Sequence, residues 1–279
     1  MTHSTWVILG AGYTGQAVAR RLVGDGQAVL VTRRGPGAAA AAALALGHGT
    51  PGVAMDLTRP ESLAFPSHSI VVCLAPPGPD PAAEIAALAH AARACDRLVY
   101  VSSTAVYPPA NGAWVDETWP IAPVTAAGRA RVVAEAALPA DAIALRVAGI
   151  YGPGRGLVDR IRAGTYRIVG DGTAHVSRIH VDDLVDAIIH AGATTFAGPV
   201  NIADDDPAPI GEVADTIAAR LGLPPPPRVA VDAVDPEVAG MLTANRRIAN
   251  ARMKETLGVR LRYPSWRTQL SELEPDDAA

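Results

Sequence analysis

Near the N-terminus Gly10, Ala11, Gly12, Tyr13, Thr14 and Gly15 spell a GxGxxG string after an apolar run and before a helical one. That context gives the string its chemistry. Gly10 permits a tight turn, Gly12 lets backbone N–H groups approach a pyrophosphate, and Gly15 lets the following helix lie against the strand. Tyr13 and Thr14 open that helix, whose N-terminus favours negative charge. The next apolar run ends in Arg33 and Arg34, where a chain that binds NAD usually carries a carboxylate for the ribose hydroxyls. Two guanidiniums suit a 2′-phosphate instead, by charge and by bidentate geometry. The expected cofactor is therefore NADP(H), with NAD(H) second, and the competing reading of the arginines is a solvated loop.

The elements that must hold these residues alternate between strand and helix. Residues 6–9, 28–32, 52–55, 70–74, 97–102 and 142–147 are apolar runs of strand length, with helical periods at 14–23, about 35–46, 81–95 and 123–138. Right-handed crossovers then predict an α/β fold, a doubly wound parallel sheet (Rossmann). Residues 1–150 form its dinucleotide-binding core, with 176–203 returning to it through a helix over 179–191 and a late strand at 200–202. Residues 151–175 and 204–279 are expected as a small C-terminal substrate lobe, containing a helix over 210–221, a stiff proline connector at 224–227 and an acidic, disordered end.

Composition sets the outer limits. A length of 279 residues suits one large α/β unit with a modest lobe. A net charge of −4 speaks against a nucleic-acid surface. Cys73 and Cys95 lack CxxC spacing, so neither a zinc site nor a disulfide framework is expected, and no metal is assigned. No apolar run is long enough to span a bilayer, and the five residues before the first strand leave no room for a signal peptide. The expectation is a cytoplasmic protein, monomer or homodimer, whose partner is a small-molecule substrate.

Three further strings carry a resemblance. They are Val101-Ser102-Ser103-Thr104-Ala105-Val106-Tyr107, Leu145 to Gly154 (LRVAGIYGPG), and Arg178-Ile179-His180-Val181-Asp182-Asp183-Leu184. Together and in this order they resemble the extended short-chain dehydrogenase/reductases, the NAD-dependent epimerase/dehydratase-like superfamily. The resemblance implies that Ser103 is the catalytic serine, that Asp56 meets the adenine amino group, and that Ala75-Pro76 pass the nicotinamide-side ribose. For Asp56 a turn-forming role is the rival reading, and for Ser103 a local backbone bond is the rival. The carboxyl pair that eliminates water in dehydratases would fall on Thr104 and Ala105, neither of which is an acid.

The chain departs from that family at its catalytic helix. Residues 123–135 (PVTAAGRARVVAE) keep the frame at Gly128, Arg129, Ala130, Ala134 and Glu135, but the tyrosine position holds Ala127 and the lysine position holds Arg131. Alanine has no proton to exchange, and a guanidinium does not give one up in a relay. Arg131 can anchor the nicotinamide ribose; its rival role is an ion pair with Glu135 one helical turn on. A substitute proton donor is expected among Tyr107, His180 and Tyr151, with Tyr107 first. The function implied is an NADP-dependent oxidoreductase on a small polar metabolite, a carbonyl, alcohol or imine. An NADP(H)-binding sensor without turnover and an epimerase-like enzyme are the alternatives. Asp204-Asp205-Asp206 suits a solvated turn, and Arg155, Arg160, Arg162 and Arg167 a positive rim. Asn245-Arg246-Arg247 stay unplaced.

Overall fold

The computed structural model describes residues 4–47 and 49–272. Its strands in chain order are β1 (Thr5–Leu9), β2 (Val29–Arg33), β3 (Gly52–Ala54), β4 (Ser69–Cys73), β5 (Arg97–Ser103), β6 (Trp114–Val115), β7 (Ile143–Val147) and β8 (Gly149–Tyr151). They continue as β9 (Ile168–Val169), β10 (His175–Val176), β11 (Arg178–His180), β12 (Gly198–Ile202), β13 (Ala208–Pro209), β14 (Arg228–Val229) and β15 (Arg247–Ile248). The helices are α1 (Tyr13–Gly24), α2 (Pro36–Leu44), α3 (Pro81–Ala91), α4 (Ala126–Ala136), α5 (Leu157–Arg162), α6 (Val181–Ala193), α7 (Ile210–Arg220), α8 (Pro236–Leu242), α9 (Ala251–Leu257) and α10 (Trp266–Leu270).

A seven-stranded sheet in the order β12-β7-β5-β4-β1-β2-β3 forms the centre, with every neighbouring pair parallel. Parallel strands are covered on both faces, and the sequence supplies apolar side chains to both. Ile8, Val31, Val72, Val99 and Leu145 face one side, packing with Val18 and Leu22 of α1 and Leu184 and Ile188 of α6. Val7, Leu9, Val71, Cys73 and Tyr100 face the other, against Ile85 and Leu88 of α3. The alternation within β1 is the period of two that a strand imposes.

The order of strands places the site. From β1 the chain moves outward to β2 and β3, then returns to β4 on the opposite side of β1. A doubly wound sheet opens a crevice at such a reversal, beyond the C-terminal ends of the strands. Here those ends are Leu9 and Cys73.

A third apolar cluster builds the small lobe from Tyr151, Tyr166, Ile168, Ile210, Val213, Ile217 and Trp266. The expected lobe boundary needs one correction. Met253 and Leu257 of α9, with Val259, pack into the sheet's own core rather than into the lobe. Helix α3 also stops short of the expected 81–95, because its last turn tightens to a 3-10 turn over Ala92–Ala94 before Cys95 turns extended. The acidic end of the chain, residues 273–279, lies outside the described residues. Among the described residues no helix is long and apolar enough to cross a membrane.

Candidate active site

The glycine loop sits where the sheet reverses. Gly10 has φ +101°, and a Cβ there would stand 2.9 Å from the Ala75 backbone nitrogen. Gly15 is equally constrained, since a Cβ would lie 2.5 Å from the Gly10 carbonyl oxygen. Both positions exclude any side chain without a shift of backbone. Helix α1 begins after Gly12 with no side-chain cap and no acid in its first turn. Its first N–H groups are thus presented to an anion. Tyr13 and Thr14 join Gly10, Gly12 and Gly15 in the wall of a cavity of about 600 Å³. The Tyr13 hydroxyl donates to the Pro153 carbonyl at 3.0 Å, tying the loop to the lobe.

Arg33 reaches back over the glycine loop and donates to the Ala11 carbonyl at 2.9 Å. Arg34 is exposed beside it, and no carboxylate follows β2. The uncapped helix, the side-chain-free turn and this donor set fit a dinucleotide. Asp56 holds its own turn through one oxygen: Oδ1 accepts from the backbone N–H and hydroxyl of Thr58 at 3.0 and 2.9 Å. The Thr58 backbone bond, helped by the hydroxyl, holds that carboxyl below the usual range. Ala75 meets Gly10, Pro76 is exposed, and it is Leu74 that lines the cavity.

Across the cavity β5 ends in Ser103, whose Oγ accepts from the Ala105 N–H at 3.2 Å. That bond uses an oxygen lone pair and leaves the hydroxyl proton for a ligand. Helix α4 comes close here because position 128 is glycine; a Cβ would lie 2.4 Å from the Ala105 carbonyl oxygen. The close approach carries Arg131 into the cavity wall. Its guanidinium donates to the Val101 carbonyl and to the Tyr100 hydroxyl, and lies over the Tyr100 ring at 5.7 Å. Burial pushes the Tyr100 phenol up to about 12, against the pull of Arg131. Ala127, on the same helix, is exposed.

Glu135 does not pair with Arg131. It accepts from Nη2 of Arg146 at 2.7 Å and from the Ser102 hydroxyl at 2.5 Å, in an ion pair whose side chains are only 8% and 12% exposed. Arg146 in turn donates to the Tyr107 hydroxyl at 3.0 Å, and Tyr107 donates to Asn201 Oδ1 at 2.7 Å.

This corrects the expectation for Tyr107. The ring is fully buried, committed to two partners and absent from the cavity wall, and burial raises its pKa despite the Arg146 bond. Its hydroxyl proton goes to Asn201, away from the cavity wall. His180 is likewise engaged: its Nδ1 accepts from the Asp182 N–H at 3.2 Å, capping α6, and its ring stacks on Tyr263 at 3.6 Å. Burial lowers its pKa, outweighing Asp182 and Asp183.

The sequence left Asn245 and Arg246 without a place, and the structure brings both to the cavity together with His175. Asn245 adopts a left-handed φ of +46°, and its Oδ1 accepts from the His175 backbone N–H at 2.9 Å. Arg247 faces His175 Nε2 at 3.1 Å; arginine only donates, so the ring proton sits on Nδ1, toward Asn245 Oδ1. Arg246 donates to the Tyr107 carbonyl, and burial lowers its pKa to about 10. Arg131, Arg155 and Arg246 line the cavity, and among the described residues no Asp or Glu does. Contacts spanning some 70 residues, as between His175 and Asn245, leave no local sequence signal.

Fold and site together define a nucleotide-binding α/β protein with a crevice at the sheet's C-terminal edge. The sequence profile of the NAD dependent epimerase/dehydratase family matches residues 6–203, and the chain belongs to that family. A functionally unknown conserved protein from Silicibacter pomeroyi superposes with a TM-score of 0.80 at 33% identity, covering 97% of this chain and 98% of the other. A human epimerase family protein solved with NADPH gives 0.78 at 21% identity over 96% and 98%, a likeness of fold. A Streptomyces protein named 3-diazoavenalumate denitrifying reductase is 34% identical over 139 residues, 46% of this chain and 45% of the relative. That match therefore spans less than half of the relative's length.

Proposed function

We propose that this protein is an NADP(H)-dependent reductase that works without the tyrosine–lysine relay of its family. One observation carries the reading: the cavity joins an intact glycine loop to Ser103 and Arg131, while Ala127 supplies no proton. When bound, the dihydronicotinamide supplies a hydride. Ser103 orients the acceptor through its hydroxyl proton, and Arg131 is the donor for the nicotinamide-side ribose. Val147, Ala148 and Ile150 keep the cavity floor apolar, which strengthens each polar contact. Arg33 and Arg34 suit the 2′-phosphate by charge and donor geometry.

The missing proton selects the substrate. A neutral carbonyl needs a proton as hydride arrives, and loss of a tuned donor costs roughly 10²- to 10⁴-fold. An acceptor that is already electrophilic, such as an iminium carbon or a protonated diazo group, does not. The partial likeness to a reductase named for a diazo substrate favours this class. The test is anaerobic NADPH consumption against carbonyls, iminium-forming compounds, diazo compounds and sugar nucleotides, with Ser103→Ala as control. Turnover confined to the electrophilic nitrogen compounds, and weakened by Ser103→Ala, is the expected result. Fast sugar-nucleotide turnover overturns the reading; tight NADPH binding with no turnover points to a sensor.

A further inference from the structure

Beside the main cavity lies a side chamber of about 370 Å³, within the small lobe. Gly149, Ile150, Arg155, Val176, Met241 and Leu242 line both spaces, so the two adjoin along one boundary. The chamber is walled mostly by apolar side chains, among them Tyr166, Ile210, Ile217 and Trp266. An apolar cavity of roughly 150 Å³ admits one benzene ring. This one has room for a substituted or fused aromatic body.

Its polar atoms point to the rest of the ligand. Tyr151 Oη, Arg178 Nη2 and Trp266 Nε1 belong to chamber-lining residues, are shielded from solvent, and have no hydrogen-bond partner among the described residues. Their residues are 6%, 6% and 3% exposed. A buried polar group without a partner is destabilising, more so when charged, so such a cluster is seldom retained without use. All three are donors. Arg155, Arg160 and Arg178 line the chamber, and among the described residues no Asp or Glu does. The nearby buried Asp204 attracts Arg178, yet one of its oxygens, Oδ2, also lacks a partner.

We infer that the side chamber binds the aromatic body of an aryl carboxylate, with the carboxylate drawn by the positive charge of Arg155, Arg160 and Arg178 that line it. The reducible group then remains at the shared boundary, on the Ser103 side. A sugar nucleotide fits poorly, since its hydroxyls would meet apolar walls. The inference rests on the reductase reading for the direction of the ligand, and its test is kept separate from turnover.

The probe is 2-naphthoate, which offers nothing to reduce, titrated calorimetrically into protein saturated with NADP⁺, with 2-naphthamide as the neutral comparison. Quenching of tryptophan fluorescence gives a second readout, because Trp266 lines the chamber. Naphthoate should bind at least tenfold tighter than the amide. Ile217→Trp fills the chamber and should weaken naphthoate at least twentyfold while changing NADPH affinity less than twofold. Equal binding of acid and amide, no binding of either, or unchanged naphthoate binding by Ile217→Trp overturns the inference. Naphthoate binding as described with no NADPH turnover on any substrate sinks the reductase reading alone.

Discussion

Replacing Arg146 by methionine removes the cation at the centre of the polar cluster behind Ser103. Arg146 is 7% exposed and bonds both Glu135 oxygens, through Nε at 3.3 and 3.1 Å and through Nη2 at 2.7 Å. Without it, Glu135 keeps only the Ser102 hydroxyl, and a nearly buried carboxylate is left uncompensated. Breaking a buried pair from one side costs about 3–5 kcal/mol. Tyr107 keeps its bond to Asn201, so the loss is concentrated on Glu135. Removing both charges, as Arg146→Met with Glu135→Leu, should recover most of that loss, since apolar replacement of a buried pair is often neutral. Urea unfolding of wild type, both single variants and the double variant measures the cycle. A single-variant loss under about 1 kcal/mol, or a double variant equal to the sum of the singles, refutes the reasoning.

Three shorter predictions follow from the same structure. Arg33→Ala should weaken NADPH by about 1.5–3 kcal/mol, the scale of a charged hydrogen bond, and leave NADH nearly unchanged in parallel titrations; equal losses refute the 2′-phosphate role. Ser103→Ala should lower kcat/KM about 10²-fold, the cost of one orienting donor, with NADPH affinity unchanged by fluorescence titration. Burial pushes the Asp204 carboxyl up to about 8, with Arg178 opposing and Asp205 and Asp206 assisting. The folded state therefore holds that proton more tightly than the unfolded chain. The stability this contributes is complete below pH ~4 and is lost as pH rises toward ~8, by at most about 1.4 kcal/mol per unit. Asp204→Asn should gain on wild type across that window in urea unfolding, and a pH-independent difference contradicts the assignment.

What the sequence disclosed was whatever depends on neighbours along the chain. The glycine loop is a local backbone problem, and the strands carry their burial in their composition, so β1, β2, β4, β5 and β7 fall within a residue or so of their expected places. Gly128 and Arg131 were legible because one helix holds both. Tyr107 misled because its position in a motif says nothing of Arg146 and Asn201, which close over its hydroxyl from β7 and β12. Asp204 looked like part of a solvated turn, yet it is 1% exposed. Arg246 and His175 reach the cavity through pairings such as β15 with β6 and β10 with β13, two residues each, too short to carry a periodic signal. The side chamber depends on α7, α10 and α5 meeting, which no single segment encodes.

The central claim is hydride transfer from NADPH beside Ser103 without a proton from position 127. It is tested most directly with NADPH deuterated at the transferring carbon, mixed anaerobically with the protein and an aryl carboxylate that bears an iminium group, whose carbon keeps the transferred deuterium. The account predicts deuterium in the product by mass spectrometry, from one face of the nicotinamide only, and unchanged transfer in Tyr107→Phe. Tight NADPH binding with no label in the product, or label transfer abolished by Tyr107→Phe in a folded protein, would contradict it.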